Sequence, residues 1–169
     1  MISNVFSGRL ATSVLLLRNV PSLNRSKNKN RIKTEMLRFL DTDICVAFLR
    51  GASVAVRDRL LQHSRAEVAL PAIVVAELLF GVEKSTQPRR HGGKVKDFVE
   101  SLQIVTFGAN AAKQYARIRA LLEAKGEPIG ANDYLVAAIV AAEQGILVTA
   151  NVREFRKVPG LKLENWLAA

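Results

Sequence analysis

Short apolar runs alternating with helical stretches predict an α/β chain built around a mostly parallel sheet. Two observations carry that prediction. Strand-like runs at 37–40, 67–70 and 146–149 are each followed by polar or breaker residues, and helical patterns fill the stretches between them. The length of 169 residues adds a third, since it is enough for one sizeable core and favours a single domain.

Residues 37–40 read as a buried strand, followed by a helix from about 42 to 49 and a second helix over 55–63. A strand at 67–70 is stopped by Pro71, and 72–84 (AIVVAELLFGVEK) form an apolar helix. The breakers in QPRRHGG, 87–93, predict a loop. Residues 94–102 return to helix and 103–107 form a short strand. Over 109–125, Ala111, Tyr115, Ile118 and Leu122 share one face while Lys113, Arg117 and Arg119 lie off it, and Gly126 ends the helix. Asn132 or Asp133 opens a further helix that Gly145 closes; ILVT is a fourth strand and LKLENW a fifth. No internal repeat is present.

Hydrophobic content of 49% and charged content of 24% describe a globular chain rather than a disordered one. Cys45 is the sole cysteine, so no intrachain disulfide can form, and a reducing, cytoplasmic setting is expected. His63 and His91 lack metal-site spacing, which also makes a histidine-pair ribonuclease mechanism hard to build. No apolar stretch approaches the roughly 20 residues of a membrane span. Residues 1–35 hold seven Lys/Arg against one acid, +6 of the net +10, and read as a basic disordered extension or as a leader translated ahead of Met36. The domain is expected over 36–169, whose net +4 is compatible with a polyanionic partner but is weak evidence for one.

Three acids stand at apolar-flanked positions: Asp41 in LRFLDTD, Glu77 in VVAELLFG and Asp133 in PIGANDYLVAA. Asp41 follows a strand, where open α/β sheets bind ligands, although a cap of the next helix is the ordinary alternative. Glu77 lies in an apolar helix, where a buried carboxylate needs a partner, a proton or a metal; a structural ion pair with arginine is the alternative. Asp133 opens a helix, and an N-cap is its bland reading. Asp43 is a weaker candidate that could simply complement the dipole of the helix it starts. Gathered together, such carboxylates suit Mg²⁺ or Mn²⁺, which take oxygen ligands and promote in-line displacement at phosphorus.

The segments MLRFLDTDICVAFLRG, PAIVVAELLFGVEKS, YARIRALLEAKGEPIGANDYLVAA and ILVTANVREFRKVPGLKLENW together resemble the PIN-domain ribonucleases, specifically the VapC toxins of bacterial toxin–antitoxin modules. The resemblance runs from Met36 to Trp166. It implies a three-layer fold with the acids at the carboxyl edge of the sheet, Asp41 and Asp133 as ligands of Mg²⁺ (or Mn²⁺), and Glu77 as a further ligand or the holder of a metal-bound water. Thr149 matches a supporting hydroxyl position. Asn151 stands where many PIN domains carry a fourth acid, which Glu154 is placed to replace.

The resemblance further implies an RNA substrate, with transfer RNA as the family-based expectation. It implies a VapB-like antitoxin whose C-terminal segment blocks the site, and a homodimer with a basic groove that Arg89, Arg90 and Lys94 could line. Two other functions remain open at this point. Asn151 keeps alive a catalytically weak PIN-like module that only binds RNA or antitoxin. DTD could instead be a phosphotransferase nucleophile, but ICVAFL offers no glycine or threonine for a phosphate-binding turn.

Overall fold

A computed structural model describes residues 36–168; the expectations for 1–35 lie outside them. Five strands form one parallel sheet in the order β3-β2-β1-β4-β5, where β1 is Arg38–Leu40, β2 Val68–Pro71, β3 Gln103–Val105, β4 Ile146–Val148 and β5 Lys162–Glu164. All four residues of β2 and all three of β4 are buried, although successive side chains point to opposite faces. Both faces of the central strands are therefore covered, as an all-parallel sheet requires.

The covering helices among the described residues are α1 (Thr42–Arg50), α2 (Val54–Gln62), α3 (Ala72–Glu83), α4 (Pro88–Glu100), α5 (Ala109–Ala124), α6 (Ala131–Ala142) and the single-turn α7 (Val152–Phe155). Local chemistry sets their ends. The Asp41 side chain accepts from Thr42 N at the start of α1, and Gly51 closes that helix in the left-handed region at φ 64°. Ser53 caps α2 by accepting from Val56 N. Ala111, Ile118 and Leu122 bury one face of α5, while Lys113, Arg117 and Arg119 are exposed, as the periodicity predicts.

Three elements differ from the sequence reading. Residues 88–93 are the first turns of α4 rather than loop, because Pro88 occupies the first helical position, where its missing N–H costs nothing. His91, Val95 and Phe98 then form a buried stripe at helical spacing, and Phe98 packs on Phe48 at 5.3 Å between ring centroids. That packing outweighs the helix penalty of Gly92 and Gly93. Pro71 does not lie beyond β2 as its stop but is its last residue, paired with Val105, and is also the N-cap of α3. The turn of α7 and a 3-10 turn at Arg65–Glu67 carry too few residues to leave a periodic signal.

Candidate active site at the switch point of the sheet

The chain builds β1, β2 and β3 in one direction and then places β4 on the other side of β1. A reversal of this kind opens a crevice beyond the carboxyl ends of the two strands that flank it. The register pairs Leu40 with Val148, so the next residues, Asp41 and Thr149, meet at the mouth of that crevice. Asp41 N still bonds to Val148 O at 2.9 Å, and the Thr149 hydroxyl donates to Asp41 Oδ2 at 2.6 Å. Asp41 Oδ1 takes the Thr42 N–H at 2.8 Å. Asp41 is thus an N-cap that also stands at the mouth of the crevice, so the cap does not exclude a role in a site.

Glu77 approaches from α3 and is held on both oxygens. Thr42 donates its hydroxyl to Oε2, and Asn132 donates its amide to Oε1 at 2.7 Å. The arginine ion pair considered for Glu77 is absent among the described residues; a hydroxyl and an amide hold it instead. Asp133 occupies the third position of α6, not its N-cap, which is Gly130. Its carboxylate turns back toward Gly130, whose backbone favours the charged form. A Cβ on Gly130 would lie 2.8 Å from Asp133 Oδ2, so any side chain there would require the carboxylate to shift.

Asp43 belongs to the same group. Its Oδ2 accepts from Ala150 N at 2.8 Å, and its Oδ1 is buried with no hydrogen-bond partner. Thr149, fully buried, links the two sides, because its hydroxyl also accepts from Asn151 N at 2.9 Å. The Asn151 residue is exposed and offers the site its backbone. Glu154 is engaged by Lys157 at 2.7 Å, although its charge still reaches Asp133.

The electrostatics record how tightly the acids are grouped. Burial, with help from Asp43 and Asp133, raises the Asp41 carboxyl from its ordinary 3.8 to about 6, against the lowering effect of the Thr149 and Thr42 hydrogen bonds. Burial also raises Asp43, opposed by the backbone N–H groups of Ala150, Ile44 and Asn151 and by the Thr149 hydroxyl. Asp133 is raised by burial first and then by the charges of Glu77, Glu154 and Asp43. Each acid makes the next harder to ionise, a situation that a cation reverses.

A PIN-domain family model matches residues 38–161. Ribonuclease VapC2 of Rickettsia felis is 39% identical over 132 residues, covering 78% of this chain and 98% of the relative. The chain belongs to the PIN-domain family, among the VapC ribonucleases. A tRNA(fMet)-specific endonuclease VapC of Shigella flexneri is 34% identical over 78% of this chain and 99% of the relative. Among solved structures, VapBC2 from Rickettsia felis bound to a DNA fragment from its promoter superposes with a TM-score of 0.73 at 37% identity, over 78% of this chain and 99% of that one. VapBC from Salmonella typhimurium, also bound to DNA, gives 0.74 at 30% identity, over 78% and 98%.

Within this PIN domain, four residues named from the sequence converge: Asp41, Glu77, Asp133 and Thr149. Asp43, the weaker candidate from the sequence, lies beside them, and Thr42 and Asn132 hold Glu77 with no local signal to announce it. Arg89, Arg90 and Lys94 lie on α4, with both arginines exposed. Among the described residues no three His, Cys, Asp or Glu side chains form a ready-made metal cage. Mg²⁺ does not need one, since it keeps several waters and is held by one or two carboxylates. An all-oxygen donor set, mutually repelling acids and an orphaned buried carboxylate oxygen at Asp43 fit such an ion.

Proposed function

We propose that this chain is a VapC-type endoribonuclease toxin that uses Mg²⁺ or Mn²⁺ to hydrolyse RNA phosphodiester bonds and is neutralised by a VapB-like antitoxin. The observation that carries the reading is the convergence of Asp41, Glu77 and Asp133 at the switch point, with Thr149 bonded to Asp41. A bound divalent cation would supply positive charge for the phosphate and would activate a water. Asp41 and Asp133 are the residues that would hold it. Thr149 fixes Asp41 by donating to Oδ2, so the carboxylate enters the site already oriented. Glu77, held by Thr42 and Asn132, would accept a hydrogen bond from the attacking water and so aim it.

The relatives' names and complexes support the substrate and partner: a tRNA(fMet)-specific endonuclease at 34% identity, and VapBC assemblies with similar folds. A homodimer is part of the same proposal, with Arg89 and Arg90 available on the surface to seat an RNA backbone.

The test is cleavage of a small-RNA pool, including initiator and elongator tRNA, by chain freed of antitoxin. Parent and Asp41→Asn would be compared with Mg²⁺, with Mn²⁺ and with EDTA. Discrete cleavage that requires metal and disappears in the variant is expected. Folded, metal-loaded parent that cleaves none of these RNAs would overturn the proposal.

A further inference from the structure

Position 151 lacks the carboxylate that many PIN domains carry, yet the turn around it is not without one. Ala150 N, next to Asn151, donates to Asp43 Oδ2 at 2.8 Å, which brings a carboxylate from the first turn of α1 to the far side of the same turn. The Thr149 hydroxyl, which serves Asp41 at 2.6 Å, lies 3.5 Å from that same Asp43 oxygen. One oxygen is enough for the contact with the turn, and an asparagine would make it equally well. What asparagine would not supply is the negative charge, or Oδ1 as a second anionic oxygen, which is buried without a hydrogen-bond partner. A buried carboxylate oxygen left in this way is costly unless something cationic answers it. Glu154, the other acid near the turn, already has Lys157 at 2.7 Å.

We propose that Asp43 is the fourth carboxylate of the cation site, supplying from α1 the charge that Asn151 does not supply from the β4–α7 turn, and that it governs how tightly the cation is held. The proposal rests on reading the acid group as a divalent-cation site, and the experiment separates the two.

Calorimetric titration of Mn²⁺ into the full 169-residue chain, stripped with EDTA, would compare the parent, Asp41→Asn, Asp43→Asn, Asp43→Ala and Asp43→Asn with Asn151→Asp. Circular dichroism would confirm that each is folded. Asp43→Asn keeps the acceptor for Ala150 and is expected to weaken binding on the order of 10-fold or more, the scale on which residues around a metal act. Asn151→Asp in that background is expected to recover most of the loss. Asp43→Asn binding like the parent, whether or not Asp43→Ala is weakened, would show a turn acceptor or less and would overturn the role of Asp43, while loss of binding in Asp41→Asn would leave the cation site standing. Weakened binding in Asp43→Asn without recovery would overturn the exchange with position 151. A parent that binds no Mn²⁺ would overturn both readings.

Discussion

Asp41 shows how much one residue can carry. It caps α1, takes the Thr149 hydroxyl, and sits 8% exposed beside Asp43 and Asp133. Its folded pKa of about 6 against an ordinary 3.8 means the folded state holds a proton more tightly than the unfolded one between those values. Stability of the metal-free chain therefore falls as pH rises from about 4 to about 6, and the full cost of ionisation is present above that window. Asp41→Asn removes the charge and is expected to raise stability in EDTA at pH 7 by as much as about 3 kcal/mol, less whatever the altered hydrogen bonds cost. The advantage should vanish near pH 4. Thermal melts of both proteins across pH 4–7 would check it; a parent that gained on the variant as pH rose would sink the idea. At this scale the sequence made the main acids legible, because a carboxylate among apolar residues stands out. Asp43 did not stand out: a first-turn acid looks the same whether it faces solvent or the turn after β4. Asn132 read only as a helix opener, since nothing local reveals a contact with Glu77 some 55 residues away.

At the scale of elements, most strands and helices could be read because their apolar residues repeat with the period of the structure they form. The largest departure is the start of α4, where Pro88, Gly92 and Gly93 look like punctuation. Their context reverses the meaning: proline opens the helix, and the buried stripe of His91, Val95 and Phe98 holds the glycines in it. Gly93 is exposed, and a Cβ there would meet nothing within 4 Å. Gly93→Ala should consequently stabilise the chain by about 0.5–1 kcal/mol through the lower entropy of the unfolded state. Urea unfolding would measure it. A loss of stability in place of a gain would argue against helix at this position.

The whole molecule ties the site to packing some distance below it. β1 delivers Asp41, β4 delivers Thr149 and α6 delivers Asp133, and Gly145 lies where α6 hands over to β4. A Cβ on Gly145 would fall 2.5 Å from Phe39 Cε2 and 2.8 Å from Leu37 O, contacts that no side chain can accept. Phe39 is fully buried in β1, two residues before Asp41, so its ring has no vacant space to enter. Gly145→Ala must therefore move the ring, the β1 backbone or the end of α6, each of which positions an acid. The expected cost is about 1–3 kcal/mol of stability, the usual scale of overpacking. Mn²⁺ affinity and RNA cleavage should fall with it in protein that remains folded, although residue 145 contributes nothing to the site itself. The Gly145–Phe39 approach joins residues more than 100 positions apart, which explains why the sequence offered Gly145 only as the end of a helix. Urea unfolding, together with Mn²⁺ titration at a temperature where the variant is folded, would test the link. Destabilisation with unchanged Mn²⁺ affinity would show that the acids are held locally by Thr149, Thr42 and Asn132, independently of the core beneath them.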